Sequence, residues 1–141
     1  MLSHASRSEL GAEPVAALAV CGKELQLEST AAAARSLLAS RAVKVLPVLS
    51  GRRYVGAVDR EMLTRTAHDE PVGELARDLL PVATARTPAH KALAALDARG
   101  GTRLVVLEED GATYVGIVCL RGDRNRLCVD RDRLARHARS P

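Results

Sequence analysis

Tyr-Val-Gly-Ala-Val at 54–58 returns as Tyr-Val-Gly-Ile-Val at 114–118. Tyr54 and Tyr114 are the chain's only aromatic residues, so placing both in one frame points to a duplicated unit. The likeness extends in both directions. Ser29 aligns with Thr87, VKVLPVL (43–49) with GTRLVVL (101–107), and PVAALA (14–19) with PVGELA (71–76). A copy of this size buries little apolar surface alone. Two copies stacked about a pseudo-twofold axis can share a core, built here from Leu, Val and Ala because Phe and Trp are absent.

Each copy reads as β-α-β-β-α, an α+β fold. In the first, ELQLE (24–28) alternates as a half-buried strand does. Ser29 stands as N-cap to a helix over 30–40, rich in Ala and Leu. A strand follows at 43–49, then a Gly-containing turn and the returning strand Tyr54–Asp59. Residues 60–68 carry a helical pattern. In the second copy, VATAR (82–86) is a strand, and Thr87-Pro88 starts a helix that Gly100-Gly101 stops. A hairpin of 104–107 and 114–119 follows. These patterns divide the chain into a flexible polar lead-in (1–13), a first repeat (14–70), a second repeat (71–125) and a basic tail (126–141).

With those residues in view, the chain resembles a tandem pair of CBS domains, a Bateman module. Leu46-Pro47-Val48 with Gly56-Ala57-Val58, and Leu104-Val105-Val106 with Gly116-Ile117-Val118, carry the resemblance over about residues 14–125. It implies clefts for adenosyl compounds (AMP, ATP or S-adenosylmethionine), a regulatory role exerted through another protein, homodimerisation and no catalysis. In the family a Thr or Ser three residues after the glycine meets phosphate, and an Asp six after it meets the ribose. Here those positions hold Asp59 and Met62 in the first repeat, and Cys119 and Gly122 in the second, with Asp123 one place late. The candidate ligand residues are therefore Cys119, Arg121, Asp123 and Asp59. Asp59 at a helix start would cap the free N–H groups itself and repel a phosphate. Arg121 would attract one. The second cleft is thus expected to hold phosphate better than the first.

Charge is divided unevenly. Residues 1–120 hold 14 basic and 14 acidic side chains, whereas 121–141 hold seven Arg and three Asp. A basic tail suits an acidic partner or nucleic acid, but it lacks the aromatics that stack on bases. Nucleic-acid binding is the least favoured reading. A scaffold that dimerises without binding nucleotide is the closer alternative to an adenosyl sensor.

Cys21, Cys119 and Cys128 have no C-x-x-C spacing and the four histidines have no metal spacing, so free thiols and no metal site are expected. No nucleophile motif or phosphate loop stands out. No apolar run is long enough to span a bilayer, and residues 1–13 lack a leader's apolar stretch, so the expected location is cytoplasmic.

Overall fold

The computed structural model describes residues 2–10, 12–20, 23–41 and 43–138. Cys21 and the last three residues of the tail lie outside them. The chain forms two compact units, Lys23–Leu79 and the pairing of Met1–Gly22 with Leu80–Pro141.

In the Lys23–Leu79 unit, the first strand of the duplicated pattern is short. Numbered along the whole chain, the strands are β2 (Leu25–Gln26), β3 (Val45–Ser50) and β4 (Arg53–Asp59), in sheet order β2-β3-β4. β2 runs parallel to β3, and β3 antiparallel to β4. Helix α1 (Ala31–Leu38) begins one residue later than the sequence suggested. Thr30 caps it, its hydroxyl accepting from the Ala33 N–H at 3.2 Å, while the Ser29 hydroxyl accepts from Gln26 N–H at 3.0 Å in the preceding turn. Leu25, Ala31, Ala34, Leu38, Leu46, Val48, Val58, Leu63 and Val72 form the core. The helix expected over 60–68 shortens to a single 3-10 turn, Glu61–Leu63.

The other unit holds a five-stranded sheet in the order β1-β8-β7-β6-β5. The strands are β1 (Leu2–Ser6), β5 (Val82–Thr84), β6 (Arg103–Leu107), β7 (Tyr114–Leu120) and β8 (Arg126–Asp130). Helix α2 (Ala89–Arg99) ends at Gly100, whose φ of 68° satisfies the left-handed cap that a glycine tolerates. Side chains of β7 alternate buried and half-buried, so Val118 and Leu120 join Leu93, Leu96, Leu104, Leu127 and Val129 in the core.

Two expectations about boundaries change here. The lead-in is not frayed: Leu2–Ser6 pairs residue for residue with Asp130–Arg126, and Ala5 is fully buried. Nor does the second repeat end at 125. A turn carries the chain from β7 into β8, and only then does α3 (Arg131–Ala138) form the closing helix. The part of the tail within the described residues is therefore strand and helix.

The repeat boundaries also interchange. Pro14–Val20 belongs to the unit of the second repeat, and Pro71–Arg77 to that of the first. Hydrogen bonds show why. Val15 N–H donates to Thr87 O at 2.7 Å, and Val72 N–H to Ser29 O at 2.8 Å. Val20 exchanges two backbone bonds with Ile117, and Arg77 two with Ala57. Each Pro-Val segment forms a 3-10 turn, Val15–Leu18 or Val72–Glu74, and then a single antiparallel bridge to one returning strand. The glycine of Tyr-Val-Gly is where the two backbones meet, since a Cβ on Gly116 would lie 2.9 Å from Val20 O and one on Gly56 3.0 Å from Arg77 O. The preceding valine is a bulge in each copy: Leu49 pairs Tyr54 and Val48 pairs Gly56, as Leu107 pairs Tyr114 and Val106 pairs Gly116. Val55 is accordingly exposed, at 46%.

Candidate functional site

In the Lys23–Leu79 unit, β4 delivers Asp59 to the mouth of a groove. Its carboxylate accepts from the Met62 N–H at 3.0 Å, so it caps the 3-10 turn that follows. The groove has a volume of about 630 Å³ and is lined by Asp59, Glu61, Met62, Thr64, Arg65, Leu75, Arg77 and Leu79. That volume lies in the range of small-molecule sites, roughly 300–1,000 Å³. Two carboxylates and two guanidiniums share its wall with apolar Met62, Leu75 and Leu79. The bridge to Ala57 fixes the Arg77 backbone, and its guanidinium donates to the carbonyls of Ala76 (3.0 Å) and Glu74 (3.2 Å). Sequence reasoning missed Arg77 because the Pro-Val segment that carries it reads as the start of the second repeat, and missed Arg65 because residues 60–68 read as a helix with no ligand signal.

A smaller cavity of about 200 Å³ lies nearby, between α1 and the 3-10 turn. Its two arginines face carbonyls. Arg35 donates to Leu63 and Thr66 and meets His68 Nδ1, and Arg60 donates to Leu38 at the end of α1. These contacts complement the partial negative charge of carbonyl-rich ends.

In the other unit, Cys119, Arg121 and Asp123 are not gathered at a helix start. Cys119 is the penultimate residue of β7, half-buried, and burial pushes its thiol up to about 11. Arg121 is exposed, and its backbone N–H donates to Arg126 O at 2.7 Å to close the β7–β8 hairpin. Asp123 accepts from Asn125 N–H (2.9 Å) and from the Arg126 guanidinium (3.0 Å). The Asn125 amide and Arg126 hold its carboxyl below the usual range. Asp59 belongs to the first unit, so no unit brings all four candidates together.

The counterpart of Asp59 is instead Asp130. It ends β8 and accepts from Asp132 N–H (3.0 Å) and Arg133 N–H (3.3 Å) at the start of α3; the Arg133 and Asp132 amides lower its pKa. The signal is visible in the sequence as Val-Asp-Arg at 58–60 and again at 129–131. The hairpin built from Cys119 to Cys128 separates it from Gly116 and hides it. In both repeats a carboxylate thus accepts from N–H groups at the start of the helical turn that follows the strand.

Among the described residues, several arginines near the two ends of the chain are engaged within the fold. Arg124 and Arg7 both pair with Asp97, holding its carboxyl down at about 2, with Arg7 the larger influence. Arg131 reaches Ser3, His4 O and Glu9, and Arg133 donates to Ala19 O at 3.0 Å. Among the described residues, no three His, Cys, Asp or Glu gather as metal ligands, and no helix is long and apolar enough to cross a membrane.

No family model matches the chain, and no curated protein matches its sequence. Solved structures do match. The cystathionine beta-synthase pair domain of a Shewanella oneidensis MR-1 protein superposes with a TM-score of 0.67 at 19% identity, over 76% of this chain and 65% of that one. The chain has the fold of a CBS domain pair. The CBS domain of a bacterial CNNM/CorC family Mg2+ transporter in complex with ATP gives 0.60 at 18% identity, covering 76% and 81%. The cytosolic domain of the Mg2+ channel MgtE in complex with ATP gives 0.64 at 16%, covering 81% and 48%. The chain thus spans less than two thirds of the Shewanella and MgtE chains.

Proposed function

We propose that this chain is a non-catalytic regulatory module that binds one adenosyl ligand in the groove beside Asp59 and passes its bound state to a partner protein. The groove itself carries the reading: about 630 Å³, part apolar, with charges of both signs at its wall. ATP complexes of two proteins with this fold support an adenosyl compound as the ligand class. Within that class, wall chemistry favours S-adenosylmethionine. Asp59 and Glu61 suit its sulfonium and ammonium groups, and Arg65 and Arg77 suit its carboxylate. A triphosphate would meet the Asp59 carboxylate where it needs free N–H groups. The module is proposed to act in the cytoplasm as a homodimer, with the regulated protein as a further partner.

A thermal-shift series with AMP, ATP, S-adenosylmethionine and cyclic dinucleotides tests this. A ligand at 100 times its dissociation constant adds about 2.7 kcal/mol of stability, a shift of several degrees for a chain this size. Sedimentation at micromolar concentration tests the dimer, which a sole 15.0 kDa species would overturn. The second reading is a CBS-pair scaffold without nucleotide binding. Asp59 and Asp130 favour it, each filling its own helical start. A dimer that no adenosyl compound stabilises would select it. A nucleic-acid role for the tail has less support, because Arg126, Arg131 and Arg133 are held by intramolecular partners.

A further inference from the structure

Cys119 of β7 and Cys128 of β8 stand directly opposite one another in the antiparallel ladder. Both thiols are free. Both are half-buried, and their row continues to His4 on β1 and Arg103 on β6. The Arg121 N–H closes the hairpin onto Arg126 O. By the alternation of an antiparallel pair, 119 and 128 then form a hydrogen-bonded pair, with Cα atoms about 5.5 Å apart. That separation lies inside the range a disulfide bridges, roughly 4.4–6.8 Å. Directly opposed Cβ atoms stand about 4.5–5.5 Å apart, at or beyond the roughly 3.5–4.5 Å a relaxed disulfide prefers. A bond here is within reach but strained, and is therefore readily reduced, as regulatory disulfides are.

We propose that Cys119 and Cys128 form a reversible cross-strand disulfide, a modification site driven by exchange with a low-molecular-weight disulfide. Cys128 thiolate attacks one sulfur of the external disulfide, giving a mixed disulfide and one released thiolate. Cys119, its proton passing to water, attacks the Cys128 sulfur and displaces the second thiolate. Two protein thiols are oxidised, one external disulfide is reduced to two thiols, and the protons end on those products. Cys119 is the resolving thiol: burial raises its pKa to about 11, so its small thiolate fraction reacts once the mixed disulfide on the facing Cys128 makes the attack intramolecular. The new bond staples β8, and through it the Leu2–Ser6 strand, to the core strand β7.

The test uses the full chain carrying Cys21→Ser, which leaves only the two facing thiols. The protein is equilibrated with oxidised glutathione, quenched by acid, and its peptides are mapped by mass. The expected result is a peptide pair joined through 119 and 128 in at least tenfold excess over glutathione adducts. It should revert on dithiothreitol, and the oxidised protein should melt several degrees higher. Adding Cys119→Ser should leave a stable glutathione adduct on Cys128. The proposal is overturned if folded Cys21→Ser protein keeps both thiols free, or yields only glutathione adducts or chain-to-chain links.

Discussion

The duplicated glycine slot gives a quantitative test. Adding a methyl to Gly116 places a carbon 2.9 Å from Val20 O and 3.1 Å from Ala19 Cβ; at Gly56 it lies 3.0 Å from Arg77 O, 3.1 Å from Arg77 N and 3.2 Å from Ala76 Cβ. The obstructing atoms are mainly backbone, so no side chain can swing aside. Overpacking of this kind costs about 1–3 kcal/mol. Relief requires the bridging segment to retreat, which weakens its two backbone bonds: Val20 with Ile117 (2.9 and 3.0 Å), or Arg77 with Ala57 (2.9 and 3.0 Å). Each bond is worth roughly 0.5–1.5 kcal/mol net. Gly→Ala should therefore cost about 1–3 kcal/mol and Gly→Val about 2–5 kcal/mol, against the roughly 5–15 kcal/mol that holds a small domain folded. Urea unfolding followed by far-ultraviolet circular dichroism measures this. Gly122→Ala is the control, since its Cβ meets nothing within 4 Å and its φ is not left-handed. The control should stay within about 0.5 kcal/mol of the parent. The close-approach argument fails if Gly56→Ala and Gly116→Ala unfold at the same urea concentration as Gly122→Ala. A large loss in one repeat with none in the other would refute the equivalence of the two slots.

Three further outcomes follow from the same contacts. Asp59→Asn keeps an acceptor for the Met62 N–H but removes the charge, so calorimetry should show phosphate-bearing nucleotides binding about fivefold tighter, from about 1 kcal/mol of relieved repulsion at 4 Å in water; equal affinity would dismiss the electrostatic account. Asp97 is held at about 2 by Arg7 and Arg124, below its ordinary 3.8, so its stabilising effect is complete above about pH 4 and is lost as pH falls toward 2. Melting temperatures over that window should fall more steeply in the parent than in Asp97→Asn, and parallel curves would contradict this. Deleting residues 1–6 removes the strand against β8 and the buried Ala5, so the melting temperature should drop by several degrees, whereas a frayed lead-in would leave it unchanged.

Repetition made most of the fold legible. Tyr-Val-Gly-x-Val located both returning strands, and Ser29 matched Thr87 because both carbonyls receive the N–H of a Pro-Val segment. Local pattern could not show which repeat that segment joins. Pro14–Val20 and Pro71–Arg77 look alike, and the choice of partner is a long-range pairing that no short-range signal encodes. The groove inherited this blind spot, because Arg77 enters it from the segment assigned elsewhere. The end of α1 was overestimated because Ala and Ser beyond Leu38 carry no stop signal. The helix over 60–68 shrank because Thr64, Arg65 and Thr66 lack the apolar stripe that would hold it to the core.

The basic tail was misread for a related reason: composition counts charges without asking what they face. An inserted strand, β8, lengthens the second repeat's sheet and would expose a new edge of unpaired backbone groups. β1 covers that edge from Leu2 to Ser6. Arginines at both ends of the chain then serve this one addition. Arg131 ties α3 to β1 through Ser3 and His4 O, Arg124 and Arg7 meet on Asp97, Arg126 braces the hairpin through Asp123, and Arg133 reaches back to Ala19 O. The apparent surplus of positive charge is thus largely the fastening of an insertion. That same insertion separates Asp130 from Gly116 and sets Cys128 against Cys119, so the departures of the second repeat from the first have one structural origin.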